Sequence, residues 1–485
     1  MSFSQPGILQ RAQGRLLEYA RQHRNLTACI LLALAYLVVC VLLKMPYYYV
    51  ALLVVGLSVL IISLKYPFAA YLGYVFIIHF LPYGYLVSRT FTLAKVGGVF
   101  LLAVTLAVTA IRTPELGRRI RRVFDKRGIA LLVLILASAV SSIFNRNPNP
   151  YFYEQHVQLL ILFALTRVYV DTEKRLWWVL GIILLARGLD GVLGFYQYIT
   201  IPDVGRIAGN FLDPNEYACY TVIAIPIAFY LAQYGRNALL RIGTIVLGFF
   251  TFAAIIISYS RAGFITLALV LIIILCIPVT KFRNRLIMFC VAIVLVVAFV
   301  PFDYWTRIET ISSLFEDEHM ERSIMIRKRQ LDTSIQFFLD NPIFGVGFQR
   351  YRSTPEKLLG GYVIKRWRLG EHSTFLQVLA EVGLCGFIPF LILIFLVFRS
   401  GIRAMKLSRS ADAPGMHLLA TTATVSFASL IIYSFMLGTY TKYLFLFFAL
   451  PMTAYDIMTD ELNRRETVSE GDSPPVPADA APRRS

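Results

Sequence analysis

The sequence predicts an all-α fold: a polytopic bundle of about 12–14 membrane-spanning helices with one long outer loop that carries amphipathic helix. Three observations predict it. The 485 residues are 57% hydrophobic and only 16% charged, whereas a soluble domain carries about 25% charged residues. Apolar runs that can cross a bilayer, each needing about 20 residues, recur along most of the length. Lysine and arginine gather in the short loops between those runs, where they fix membrane orientation. The same distribution excludes a nucleic-acid partner, although the net charge is +18.

Residues 1–25 carry Arg11, Arg15, Arg21 and Arg24 ahead of the first apolar run. They are expected to form a cytoplasmic tail. The transmembrane bundle then occupies 26–302, with spans near 26–43, 47–64, 66–82, 93–111, 129–144, 157–170, 176–199, 217–234, 239–258, 262–279 and 285–302. Two of these are weak candidates, because 157–170 is short and holds Arg167 while 66–82 contains His79. A count of twelve is therefore also defensible. The bundle resumes over 374–456 with spans near 374–398, 415–436 and 438–455, and 457–485, rich in Pro, Ala, Ser and Asp near its end, is expected to be a disordered cytoplasmic tail.

Orientation follows from charge. The loops 112–127, 280–285 and 399–414 carry seven, three and four basic residues, with two more in each of 171–175 and 235–241, while the short outer loops carry roughly one each. These are expected to face the cytoplasm, and both termini with them. The loop 303–373 then lies outside. Within it Leu331, Ile335, Phe338 and Leu339 recur at helical spacing. Asp340-Asn341-Pro342 stops that helix, and Gly345 and Gly347 permit a tight turn. A long loop with its own amphipathic helix is usually a lid or binding wall; the other reading is a surface helix resting on the membrane.

Three polar segments fall on the outer face: Gly205 to Glu216, the hinge Ser258-Tyr259-Ser260-Arg261-Ala262-Gly263, and Glu371-His372-Ser373. His372 is a candidate general base, an imidazole at a membrane surface where a second substrate can arrive from water. Arg206 and Arg261 present forked, permanently charged donors suited to phosphate oxygens. Arg206 can also be read as a solvated loop residue, and Arg261 as one half of an ion pair or a snorkelling anchor. Asp213 or Asn215 is a candidate cap for the following helix. Arg187 and Asp190, three residues apart inside a span, can neutralise each other. The six cysteines lie in or beside apolar segments with no Cys-x-x-Cys pair, so they read as packing residues and no metal site is expected.

His372-Ser373, followed after nine residues by Gly383-Leu384-Cys385-Gly386, resembles the histidine motif of bacterial O-antigen ligases and their polymerase relatives. Asn341-Pro342-Ile343-Phe344-Gly345-Val346-Gly347 is similar to the family's loop signature, Ser258 to Gly263 to its serine-arginine turn, and Gly209 to Asn215 to another recurring block. The resemblance covers roughly residues 200–390. It implies a metal-independent, inverting glycosyltransferase of the bacterial inner membrane, without a cofactor, whose active site faces the periplasm and whose donor is a glycan on undecaprenyl diphosphate. Arg206 and Arg261 would hold the diphosphate and His372 would deprotonate the acceptor. Glu371 or Ser373 would orient the imidazole, with Asn210, Asp213 and Asn215 in support. The acceptor would be a lipid A core sugar in a ligase, or a growing glycan in an O-antigen or exopolysaccharide polymerase. A lipid-linked glycan flippase, which also needs a basic cavity and many spans, is the alternative of another class.

Overall fold

A computed structural model of the chain describes residues 63–81, 97–105, 120–145, 150–201, 205–234, 237–299, 322–348, 373–438 and 442–471. The described residues are all-α, with no strand among them. The chain divides into two compact units. The first takes in 1–73 and 100–112; of it, 63–73 and 100–105 are described, and Tyr71 and Leu101 are buried there. The second unit holds the remaining residues, and with them every helix below apart from the first seven residues of the first one, Pro67–Phe80.

In chain order the helices are α1 (Pro67–Phe80), α2 (Lys126–Phe144), α3 (Pro150–Tyr169), α4 (Glu173–Thr200), α5 (Pro214–Val222), α6 (Ala224–Tyr234), α7 (Ala238–Ile257), α8 (Arg261–Cys276), α9 (Phe282–Phe299), α10 (Arg322–Asp340), α11 (Thr374–Ser410), α12 (Pro414–Ser434) and α13 (Lys442–Gly471). Six segments among the described residues are long and apolar enough to cross a membrane: α2, α4, α5 with α6, α7, α11 and α12. Shorter apolar helices lie at Pro67–Phe80, His156–Tyr169 and Arg261–Cys276. The protein is thus polytopic, with about six membrane-spanning helices among the described residues; the expected 12–14 refers to the whole chain. The expected spans at 26–43 and most of 47–64 and 93–111 lie outside the described residues. α11 packs on α2, α12 and α13, while α4 packs along α7. Side chains such as Leu239, Val294 and Phe395 point out of the bundle, as a lipid-facing surface requires.

The helix ends sort into two sets. At one end, Arg167 of α3 is fully buried between Asp125, 3.0 Å away, and Asp456 of α13, 2.5 Å away. Arg127 bonds the same two carboxylates, and Arg122 bonds Asp460. A lone arginine at the centre of a span costs about 2.5–3.5 kcal/mol; here two carboxylates supply the counter-charge. Arg167 therefore does not disqualify the segment. Burial alone would raise the Asp125 carboxyl, but the hydrogen bond and charge of Arg167, the charge of Arg127 and the Gly128 N–H outweigh it and hold the group below the usual aspartate value. His79 is likewise accommodated, with Nδ1 2.8 Å from the Val75 carbonyl.

One boundary and one helix face differ from expectation. α13 continues to Gly471, well past the start of the expected disordered tail at 457. Asp460 is tied to Arg122, Arg465 pairs with Glu461 four residues earlier, and Arg465 Nη1 donates to the Ala411 carbonyl. These contacts favour helix where composition suggests none. α10 is amphipathic as expected, but its apolar residues Leu331, Ile335 and Leu339 are exposed while Gln330 and Ser334 are buried. Its polar face packs inward, beside α11, and its apolar face points away from the protein.

Candidate functional site

At the other set of helix ends, the segments 205–216 and 258–263 meet. The Ile207 N–H donates to the Ile257 carbonyl at 3.3 Å. Exposed Arg206 reaches across the same junction: its Nε donates to the Ser258 carbonyl at 3.2 Å, and its Nη2 to Asn215 Oδ1 at 3.0 Å. Ser260 caps α8, its Oγ accepting from the Gly263 N–H at 3.2 Å. The same hydroxyl donates to Asn215 Oδ1 at 3.0 Å, so both acceptor sites of that oxygen are filled. Tyr433, on α12, donates from its hydroxyl to the Asn215 carbonyl at 2.9 Å and stands 3.0 Å from Ser260 Oγ. Asn215 is thus the knot joining loop, hinge and α12.

The cap of α5 is Asp213, whose Oδ1 accepts from the Asn215 and Glu216 N–H groups at 2.7 and 3.0 Å. That assignment resolves the choice between Asp213 and Asn215 and releases the Asn215 amide for the site. Asn210 does structural work: its N–H donates to Asp190 Oδ1 at 2.9 Å and its Nδ2 to the Phe80 carbonyl at 3.0 Å. Asp190 pairs at 3.1 Å with Arg187, and both side chains are fully buried. The guanidinium of Arg187 also lies 5.0 Å from the ring of Phe211. The buried pair therefore anchors the floor of the loop that bears Arg206.

The hinge is strained. Tyr259 has φ 48°, a left-handed conformation that costs a non-glycine residue roughly 1–2 kcal/mol. It lets α7 end at Ile257 and α8 begin at Arg261, which is half-buried in the first turn of α8.

Glu371 and His372 lie outside the described residues; Ser373 is the first residue of their segment that is described. Ser373 caps α11, its hydroxyl oxygen 3.5 Å from the Leu376 N–H. Thr374 Oγ1 donates to the Leu437 carbonyl at 3.0 Å, and Phe375 stacks on Phe435 at 4.2 Å. Leu437 and Phe435 immediately follow α12, whose last turn carries Tyr433. The N-terminus of α11 is therefore docked onto the helix end that closes the Arg206 site.

The two glycine motifs serve one junction. α11 is broken at Gly383, with φ 65° and ψ −165°. The loop 341–347 fills the break: the Leu384 and Cys385 N–H groups donate to the Pro342 and Ile343 carbonyls at 2.9 and 3.0 Å, while Val346 and Gly347 donate back to Ala380 and Glu381 at 3.0 and 2.9 Å. Ser141 Oγ adds a bond of 2.5 Å to the Phe344 carbonyl. A Cβ at Gly383 would meet the Ile343 carbonyl oxygen at 2.5 Å, and one at Gly345 would meet the Glu381 carbonyl carbon at 2.4 Å.

Sequence reasoning missed two residues. Tyr433 reads as one aromatic among many in an apolar helix. Arg327, on the inward face of α10 with Gln330 and Ser334, lies close enough for its charge to act on the Tyr433 hydroxyl, as does that of Asp213. The 327, 330, 334 spacing marks a polar stripe, which the neighbouring charges Lys328 and Arg329 disguise. Among the described residues no three His, Cys, Asp or Glu side chains group to hold a metal ion.

These features define a polytopic membrane protein with an arginine-bearing polar site at one end of its helices. Residues 245–391 match a protein-family model described as O-antigen ligase. The matched stretch contains the hinge, α10, the glycine junction and the start of α11. No curated protein matches the chain.

Proposed function

We propose that the protein is an O-antigen ligase-like inverting glycosyltransferase of the bacterial inner membrane, acting at the periplasmic face on a glycan carried by undecaprenyl diphosphate. The observation that carries this reading is the convergence of 205–216, 258–263 and the end of α12 around Asn215, with the guanidinium of Arg206 at its exposed edge. The family match over 245–391 supports it.

In the proposed reaction His372 takes the proton of an acceptor hydroxyl on a lipid A core sugar. The acceptor oxygen attacks the anomeric carbon opposite the diphosphate. The new glycosidic bond forms as the bond to the phosphate oxygen breaks, and its electron pair leaves with undecaprenyl diphosphate. Arg206 and Arg261 stabilise the charge that develops there, with Arg327 approaching from α10. Diphosphate is a good leaving group, so cationic side chains suffice for this role. Glu371 or Ser373 orients the imidazole.

The test is transfer in detergent by purified protein given lipid-linked donor and lipid A core acceptor. Product is expected from the wild type and not from His372→Ala at equal protein level. A protein that moves donor across vesicles yet forms no product in detergent is a flippase. In a deletion strain, full-length glycan stranded on its lipid carrier is expected. Single repeat units attached to the core indicate a polymerase instead.

A further inference from the structure

A second site lies at the opposite end of α7. Helices α6, α7, α8 and α9 line an open cavity of about 430 Å³, within the size range of small-molecule pockets. Its walls are apolar, with Phe229, Ile245, Phe252 and Met288 among them. Its polar lining is concentrated at one end, where Gln233, Arg241 and Asn284 meet and Asn284 Nδ2 donates to Gln233 Oε1 at 3.2 Å. Lys281, just before α9, and Arg283, in its first turn, add basic residues near that rim.

The dimensions select an occupant. From Arg241 to Phe252 the cavity follows α7 for about 16 Å, at 1.5 Å per residue. That is about half the roughly 30 Å hydrocarbon core of a bilayer, the depth of one leaflet. The basic rim is at the start of α7, whereas Arg206 meets Ser258 at its end, about 26 Å away along the helix. A donor whose diphosphate sits at Arg206 cannot present the same group to Arg241.

We propose that this cavity seats an acyl chain of an anionic glycerophospholipid from the leaflet opposite the Arg206 site. Its phosphate meets the Arg241 guanidinium at the rim, and its chain fills the space between α7 and α9. The lipid completes a surface that the helices leave open, because α9 exposes Ile287 and Val294 and touches α7 only sparsely.

The experiment is native mass spectrometry of the full-length protein in non-ionic detergent, titrated with phosphatidylglycerol or phosphatidylcholine of equal chain length. One phosphatidylglycerol per chain is expected, bound roughly tenfold more tightly than phosphatidylcholine, as one charge-assisted phosphate contact implies. Arg241→Glu, at an exposed position, removes that preference. Ala232→Trp, which fills the cavity beside Gln233, weakens both lipids; thermal midpoints verify that both variants are folded. Equal binding of the two lipids to the wild type, unchanged preference in Arg241→Glu, or a co-purified polyprenyl phosphate displaced by Ala232→Trp overturns the proposal.

Discussion

Gly383→Ala places a methyl group 2.5 Å from the Ile343 carbonyl oxygen and 2.6 Å from the Gly345 nitrogen. Both obstacles are backbone, so neither can rotate aside. The φ, ψ pair at Gly383 belongs to a region that is essentially glycine-only, and forcing another residue there costs on the order of 1–3 kcal/mol. Separating the two backbones adds an overpacking cost of about 1–3 kcal/mol. It also loosens the Leu384 and Cys385 hydrogen bonds to the loop, whose net value is about 1 kcal/mol each. The substitution should therefore destabilise the protein by at least about 3 kcal/mol, the sum of modest values for these effects. Gly181→Ala is the matched control: it sits in α4 with no atom within 4 Å of the added carbon, and alanine improves a helix by up to about 1 kcal/mol. Thermal unfolding in detergent, followed by intrinsic fluorescence, should give a midpoint several degrees below wild type for Gly383→Ala and none lower for Gly181→Ala. If the two variants melt together, the interlocked junction is not what holds the loop to α11.

Tyr433→Phe keeps the ring but leaves the Asn215 carbonyl without the Tyr433 hydroxyl that donates to it, at a cost of about 1–3 kcal/mol; initial transfer rates should drop about tenfold while the protein stays folded by fluorescence. Arg206→Lys keeps the charge but cannot bond the Ser258 carbonyl and Asn215 together, so transfer should fall about tenfold as well; a rate equal to wild type would remove the forked contact from the mechanism. Arg167→Met leaves Asp125 and Asp456 with Arg127 as their one remaining shared cation and should cost about 1–3 kcal/mol, read as a lowered thermal midpoint. Asp125 has a carboxyl held below its ordinary value, so the unfolded chain binds the proton more readily. Its stabilisation is fully present above a pH of about 4, near the unperturbed value, and is lost as the pH falls through the lower folded value. The midpoint gap between wild type and Asp125→Asn should accordingly stay constant from neutral pH down to about 5 and close only below about 4.

The helices described here were legible because lipid-facing helices must be apolar over a fixed length, and the expected spans from 129–144 onward each coincide with a helix. The segments 205–216 and 258–263 stood out in the sequence because arginines beside apolar runs need an anionic or carbonyl partner, and the structure brings the two together. What the sequence hid were the bonds that depend on distant backbone. Nothing in the run around Tyr433 signals that its hydroxyl meets Asn215, more than two hundred residues earlier. The direction of α10 was also hidden. Its pattern fixes two faces but not which one meets protein, and the usual assumption that apolar faces turn inward fails beside a membrane. Arg167 looked disqualifying because its compensating carboxylates, Asp125 and Asp456, lie far away in sequence.

The mutual insertion of 341–347 and 380–385 has a practical consequence for anyone exchanging parts between related proteins. The segment after α10 and the break in α11 form a key and its lock, each shaped by a glycine in the other. A chimaera that imports the segment around α10 from a relative must carry both pieces together. With only one of them, the graft would lose its anchorage even where every imported side chain suits its new surroundings.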